Sequence, residues 1–218
     1  MTMKTILDSF RTISLKRYAA MILGNALMAL GVAVFVWSAA GNAAFPAMNM
    51  TISLRTGISY GTVTLVVHTI LFIFEFIFGR KYIHIGTVFN WVCFGYLTDG
   101  WMAVLNRFDY PDTVVSFIFS VILGMLAFTF GIAVYQDANV GIGPLDVQPI
   151  TICERKGWNF MLVRLCFDTC FLIIALLLGG FALKQIGVVT VLSSFCIGPM
   201  VGFFSKKITR PWIWGKEA

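Results

Sequence analysis

Residues 22–41, ILGNALMALGVAVFVWSAAG, return one hundred positions later as ILGMLAFTFGIAVYQDANVG at 122–141. The match keeps Ile22-Leu23-Gly24, Gly31, Ala33-Val34 and Gly41 as Ile122-Leu123-Gly124, Gly131, Ala133-Val134 and Gly141. It then runs on. Gly57 returns as Gly157, Val63, Leu65, Thr69, Ile73 and Gly79 return as Val163, Leu165, Thr169, Ile173 and Gly179, and Ile85-Gly86 returns as Ile186-Gly187. A hydrophobic chain built from two copies of a half with an odd number of spans must set the copies upside down to one another, an arrangement characteristic of transporters.

The composition fixes the solvent. With 59% hydrophobic and 12% charged residues in a chain of 218, there is too little polar surface for a water-soluble domain. Six apolar stretches, about 18–39, 61–79, 83–104, 113–136, 159–180 and 185–204, are long enough to cross roughly 30 Å of hydrocarbon at about 1.5 Å per residue. So little lies outside them that a soluble catalytic or nucleic-acid-binding module is excluded. The expected fold class is all-α: a polytopic membrane protein with six transmembrane helices in two inverted three-span repeats. Repeat 1 covers about 18–105 and repeat 2 about 113–205, forming one membrane domain over 18–205.

The net charge of +6 reads as topology, because Lys and Arg are retained on the cytoplasmic side of short loops. With a cytoplasmic N-terminus the inner side holds Lys4, Arg11, Lys16, Arg17, Arg80, Lys81, Arg155, Lys156, Lys206, Lys207, Arg210 and Lys216. The outer side holds Arg55, Arg107 and Lys184. Both termini are therefore expected in the cytoplasm, with 206–218 a basic tail. Ser38-Ala39-Ala40 resembles a cleavage site, but the basic start is too long for a signal peptide and the glycine spacing of the first span recurs in the fourth. Residues 1–17 read either as an amphipathic surface helix or as a frayed tail.

Helix breakers stand at equivalent points. Gly41-Asn42-Ala43-Ala44-Phe45-Pro46 and Gly141-Ile142-Gly143-Pro144-Leu145-Asp146 combine residues that tolerate positive φ with prolines that lack a donor. The apolar stretches after them, 47–54 and 147–153, are too short to span. They are either surface helices or re-entrant segments, which are tolerated only where protein or a wet cavity surrounds them. Asp146 is expected to cap the second, with Pro149 in its first turn. In the re-entrant reading, the free N–H groups at each start favour a small anion.

Ionisable groups inside spans are functional candidates by default. Arg164 and Asp168 lie one helical turn apart on the fifth span, and His68 occupies the repeat position of Asp168. A structural ion pair competes with a solute site for the first two, and an ordinary hydrogen-bonded histidine with a proton relay for the third. Glu75 is expected to snorkel or to reach Arg80. Asp99 is expected to be neutralised by Arg55 or Arg107, and Asn90, with Ser193 and Ser194, to bond between helices. Trp101, Trp158, Trp212 and Trp214 read as interfacial anchors. Of the five cysteines, Cys166 and Cys170 share a face but lack further ligands, and read as small buried packing residues.

Gly141-Ile-Gly-Pro144-Leu-Asp146-Val, with Gly86-Thr-Val-Phe-Asn90, Gly95 and Asp99, resembles the YczE/YyaS/YitT group of bacterial membrane proteins. The resemblance covers most of 20–205 and implies a multi-pass protein of the bacterial inner membrane. It implies location and fold rather than activity.

The functional expectation is a small-solute transporter or permease with a site at the repeat interface, drawn from Gly41, Pro46, His68, Gly141, Gly143, Pro144, Asp146, Arg164 and Asp168. Asn90 and Asp99 are secondary candidates. The alternative is a membrane accessory protein that stabilises a partner. No nucleophile–base pair, phosphate loop or metal pair is present, so neither enzymatic activity nor a cofactor is expected. The expected partners are the lipid bilayer, an unknown small solute that an anion would satisfy, and further copies of the chain as an open possibility.

Overall fold

A computed structural model describes residues 13–179 and 185–215. Residues 1–12 of the N-terminal segment, Lys184 and Lys216 lie outside the described residues. Among the described residues the fold is all-α: α1 (Leu15–Trp37), α2 (Ala44–Thr56), α3 (Tyr60–Phe78), α4 (Ile85–Leu105), α5 (Val114–Asp137), α6 (Pro144–Lys156), α7 (Phe160–Gly179) and α8 (Val188–Phe204). A short 3₁₀ turn, Arg80–Tyr82, joins α3 to α4. Beyond α8 the helix continues through a π turn, Ser205–Thr209, to Trp214, so the basic tail is helical as far as Trp214.

Among the described residues, five helices are long and apolar enough to cross a membrane: α1, α3, α5, α7 and the continuous helix Val188–Trp214. The protein is a polytopic membrane protein. The remaining expected stretch, 83–104, forms a helix of 21 residues, α4, but Asn90, Trp91, Tyr96 and Asp99 make it less apolar than the rest. Its polar residues are spent inside the protein: Asn90 Nδ2 donates to Asn25 Oδ1 of α1 at 2.7 Å, and Trp101 Nε1 to Ala26 O at 3.1 Å. Trp101 thus bonds between helices.

The opening repeat decides how α1 and α5 meet. A Cβ at Gly24 would lie 2.8 Å from Gly131 O, and one at Gly31 would lie 2.9 Å from Gly124 O. The first glycine of one helix thus faces the second of the other, so α1 and α5 run antiparallel with backbones in contact, as small residues permit. Around this seam lies the core, with Met28, Val32, Phe35, Met125, Phe128 and Val134 buried.

Both breakers fold alike. Ala39 and Asn139 take φ of 50° and 49°, and Gly41 and Gly141 take 85° and 124°. Val189 N donates to Ala40 O at 3.1 Å, and Gly86 N to Val140 O at 2.8 Å. Thr190 Oγ1 donates to Asn42 O at 2.6 Å, and Thr87 Oγ1 to Ile142 O at 2.7 Å. Each breaker therefore docks on the last long helix of the other half. This exchange pairs Thr87 with Thr190, 103 positions apart, where Ile85 and Ile186 are 101 apart. The structural correspondence is shifted by two residues from the sequence match, because it follows the helix starts rather than a chance Ile-Gly.

The short helices run from buried starts to exposed ends. In α2 every residue from Ala44 to Thr51 is buried and Leu54 to Thr56 are exposed, and α6 follows the same trend. Both close on a left-handed glycine, Gly57 (φ 70°) and Gly157 (φ 67°), a geometry that spares any Cβ. For α6 the N-cap is Gly143 and Pro144 is the first helical residue. Asp146 is therefore within the first turn rather than the cap, and Pro149 lies beyond that turn, inside the helix.

The two halves part company in one respect. Helix α3 packs closely on α4, where a Cβ at Gly61 would lie 3.1 Å from Gly95 C and one at Gly95 would lie 2.8 Å from Thr64 Cβ. The corresponding helices α7 and α8 do not close in this way. Nothing comes within 4 Å of a Cβ placed at Gly198 or Gly202. The two helices are not closely packed on one another, and the gap left between them is the α7–α8 crevice.

Candidate functional site

Helices α6 and α7 form a hairpin about Gly157, and Asp146 and Asp168 stand equally far from that glycine along the chain. The hairpin thus sets both carboxylates at one depth, and Arg164, a turn below Asp168, reaches both. Its guanidinium pairs with Asp146 Oδ1, and its Nε lies 3.5 Å from Asp168 Oδ1. All three side chains are partly buried, at 30%, 24% and 23% exposure. Two carboxylates against one guanidinium give the triad a formal charge of −1 when all are ionised.

The position of Asp146 changes what the start of α6 can take. Free N–H groups and the positive end of the helix dipole favour an anion there, but the acid in the first turn is already that anion. At the start of α2 the repeat position is Pro46, buried and without an N–H. The triad is therefore a feature of the second half alone.

His68 does not meet Asp168. Its ring stacks on Phe45 of α2 at 5.2 Å, with the planes within 9°, and Phe45 makes an edge contact with Phe171 of α7 at 5.3 Å. Helix α2 thus stands between the two, and Phe45 with Phe171 forms an aromatic partition beside Asp168. Nothing in the sequence marks Phe45 except its place in a breaker. His68 is 2% exposed and its Nδ1 has no hydrogen-bond partner.

The remaining expected residues scatter. Gly41 backs onto Gly187, whose Cα would lie 2.7 Å from an added Cβ, and Gly141 onto Thr87, at 2.7 Å from Oγ1. The two glycines serve separate junctions and neither lines the triad. A Cβ at Gly143 would lie 2.8 Å from Asn90 Oδ1, so Gly143 and Asn90 lock the second breaker to α4 and, through Asn25, to α1. Pro144 is buried at the head of α6.

Three expectations are corrected. Asp99 pairs with neither Arg55 nor Arg107: its Oδ2 accepts Gly61 N–H at 2.8 Å, so it caps the start of α3, where N–H groups lack helical partners. Glu75 neither snorkels nor pairs. It is fully buried with both carboxyl oxygens unpartnered, while Arg80 Nε donates to Phe76 O and stacks on that ring. Cys166 and Cys170 are exposed on α7, because that helix is covered only where α2 and α6 meet it.

Two other polar sites were not legible beforehand. Asp137, at the repeat position of Trp37, accepts from Ser205 Oγ at 2.9 Å and Arg210 Nε at 3.1 Å, and from Thr209 Oγ1. Trp214 Nε1 donates to its carbonyl at 2.9 Å. A cavity of about 330 Å³ opens beside it, lined by Gln136, Asp137, Asn139, Arg210 and Trp214. Outside the spans, Lys81 pairs with Glu154 at 2.6 Å and Tyr82 donates to the same carboxylate. The hydrogen bond to Glu154 raises Lys81 above its ordinary value, and the bonds from Lys81 and Tyr82 hold Glu154 below its own.

Comparison with known proteins places this geometry in a family. The chain is 26% identical over 189 residues to the uncharacterized membrane protein YczE of Bacillus subtilis, covering 86% of this chain and 84% of that protein. It is 25% identical over 202 residues to an uncharacterized protein of Haemophilus influenzae (92% and 86%), and 24% identical over 180 residues to YyaS of B. subtilis (82% and 87%). No solved structure matches. The model of the family of unknown function DUF6198 matches residues 15–206, and the chain belongs to that family.

Proposed function

We propose that the protein is a small-solute transporter or permease of the bacterial inner membrane, and that its solute site is the Arg164–Asp146–Asp168 triad beside the α7–α8 crevice. The carrying observation is the coincidence of the two. In the first half the face bearing Gly61, Thr64 and His68 is closed by α4. The equivalent face of α7 bears Arg164 and Asp168, and α8 leaves it open. Charges are costly in hydrocarbon, so an ion triad beside an open crevice favours a site over a structural staple. Its charge of −1 favours a cationic or zwitterionic solute over the simple anion that the helix starts alone suggest.

The architecture proposed with this function is six spans in two inverted three-span repeats, with α4 as the sixth span. The antiparallel α1–α5 seam and the reciprocal docking of the breakers support it. The buried starts of α2 and α6 support re-entrance from opposite faces, and the distribution of Lys and Arg supports cytoplasmic termini. Pro199, within α8 next to Gly198, withdraws a backbone donor and provides a hinge by which α8 closes on α7. The reading carries no enzymatic step.

A second reading, a membrane accessory protein, draws on the same crevice: Gly198 and Gly202 are small enough to seat a partner's helix. A thermal-stabilisation screen of amines, amino acids and carboxylates on the purified protein separates the two. The transport reading expects a stabilising solute whose effect is lost in Arg164→Ala and Asp168→Asn. A solute whose affinity is unchanged by both substitutions refutes the site, and a stable complex with a partner helix in the crevice, without any solute, refutes the transport reading.

A further inference from the structure

We infer that Glu75, with Gln148 and Thr151, forms a proton-binding site inside the membrane domain, separate from the triad and independent of whether the crevice takes a solute. Leu71, Glu75 and Gly79 follow one another at single-turn spacing along one face of α3. Helix α6 lies along that face. Above Glu75, Gln148 Nε2 donates to Leu71 O at 3.1 Å. Below it, a Cβ at Gly79 would lie 2.6 Å from Val147 Cγ1 and 3.2 Å from Thr151 Oγ1, so the missing side chain lets α6 approach. Glu75 is thus bracketed by the two polar side chains of α6.

All three are buried, Glu75 completely, Gln148 at 2% and Thr151 at 5% exposure. Both Glu75 oxygens, Gln148 Oε1 and Thr151 Oγ1 lack hydrogen-bond partners. Unpaired buried polar atoms are rare and each is expensive. The inventory explains the Glu75 and Gln148 atoms and leaves Thr151 a donor that either form of Glu75 can accept. An ionised Glu75 offers only acceptors, Gln148 Oε1 is an acceptor because its amide is used on Leu71, and Thr151 supplies one donor. Acceptor then faces acceptor. One added proton resolves the clash of acceptors: protonated Glu75 donates to Gln148 Oε1, and its carbonyl oxygen remains an acceptor for Thr151. A sodium ion would need about six oxygen ligands, more than these side chains supply.

Among the described residues, no neighbouring charge is paired with Glu75. From the turn after α3, Arg80 is engaged by Phe76 O, and Lys81 and Tyr82 by Glu154. From α6, Asp146 pairs with Arg164, and Arg155 donates to Phe78 O at 3.1 Å. From α5, Tyr135 gives its hydroxyl to Gly86 O at 3.1 Å. On α4, Asp99 caps α3 and His84 Nδ1 lies 3.3 Å from Tyr82 O. On α2 the charged residue is Arg55, at the exposed end. Glu154, one turn beyond Thr151 on α6, is exposed and engaged by Lys81 and Tyr82.

The test uses dicyclohexylcarbodiimide, which couples to protonated carboxyls in apolar surroundings, on the full chain in detergent, with mass spectrometry of peptides. Expected is modification of Glu75 that falls as pH rises, is indifferent to sodium, is abolished in Glu75→Gln, and has its pH midpoint moved in Gln148→Leu. Glu75 is expected to stay reactive in Arg164→Ala and Asp146→Asn, even where its pH midpoint moves, so failure of the solute site does not mimic failure here. Absence of Glu75 modification at every pH in folded wild-type protein overturns the inference. Protection by sodium overturns the assignment to a proton, and a midpoint unmoved by Gln148→Leu removes Gln148 from the site.

Discussion

Replacing Gly131 by Ala inserts one methyl group into the α1–α5 seam. It would meet Met28 N at 2.6 Å and Gly24 O at 2.8 Å. Both are backbone atoms, so no side chain can rotate away. Carbon needs about 3.5 Å from such neighbours, so the two helices must part by nearly 1 Å at the crossing. Overpacking of this kind costs about 1–3 kcal/mol, which outweighs the gain of up to about 1 kcal/mol from replacing a helical glycine by alanine. Gly202→Ala is the matched control, because nothing lies within 4 Å of its new methyl and only the helical gain remains. Thermal unfolding in detergent, followed by tryptophan fluorescence, is expected to rank Gly202→Ala at or above wild type and Gly131→Ala below it. Gly31→Ala, which would meet Phe128 N at 2.8 Å and Gly124 O at 2.9 Å, should fall beside Gly131→Ala. A Gly131→Ala protein as stable as Gly202→Ala would refute the close antiparallel seam.

Arg164→Ala leaves Asp146 and Asp168 facing each other without a cation, and is expected to destabilise by up to about 3–5 kcal/mol, less for residual exposure; thermal unfolding should show recovery when Asp146→Asn and Asp168→Asn are added. Thr87→Val and Thr190→Val each remove one bond to a breaker carbonyl and should lower stability by the same amount, about 1 kcal/mol, as read by denaturant or thermal midpoints. Asp137→Ala strips Ser205, Thr209 and Arg210 of their shared acceptor, so trypsin is expected to cut faster after Lys206 and Lys207. For Lys81–Glu154, Glu154 is held low and Lys81 high. The pair's contribution is therefore present between the two unfolded values, fades as pH falls through the folded value of Glu154, and fades as pH rises through that of Lys81. The difference in melting temperature between wild type and Glu154→Gln should follow that plateau.

The sequence carries the scaffold because the scaffold is made of backbone contacts. Gly24, Gly31, Gly124 and Gly131 are where helices touch, and Gly41 and Gly141 are where positive φ is required, so the residues themselves announce the geometry. The triad was half legible. Arg164 and Asp168 declare themselves by helical spacing, but Asp146 joins them only because the hairpin about Gly157 brings distant positions to one depth. Glu75 was misread for a related reason: its neighbours Gln148 and Thr151 come from another half of the chain, and no local pattern reports an absent partner. Asp99 looked like half of an ion pair because sequence shows charges and does not show the free N–H of Gly61.

Where the halves differ, they differ in a consistent direction. Pro46, Thr64 and His68 in the first half become Asp146, Arg164 and Asp168 in the second, while Glu75 becomes Ala175, buried against Phe171, Phe45 and Met48. The close pair Gly61 and Gly95 gives way to Met161, which is 70% exposed, opposite an uncovered Gly198. Each half therefore keeps its charge where the other keeps an apolar or neutral residue. The triad lies on the open side of α7, and the lone carboxyl on the sealed side of α3. A change in α6 reaches both, since Asp146 stands at its head and Gln148 and Thr151 lie along its length. Any motion of α6 that loosens Asp146 from Arg164 must also move the two side chains that bracket Glu75, and this gives a rigid link between an ion-pair site and a proton site. Engineering a disulfide that pins α6 to α3 should therefore fix the pH midpoint of Glu75 modification against any solute that binds the triad, whereas in the unlinked protein such a solute shifts it; a shift that survives the link would show that α6 is not the connection.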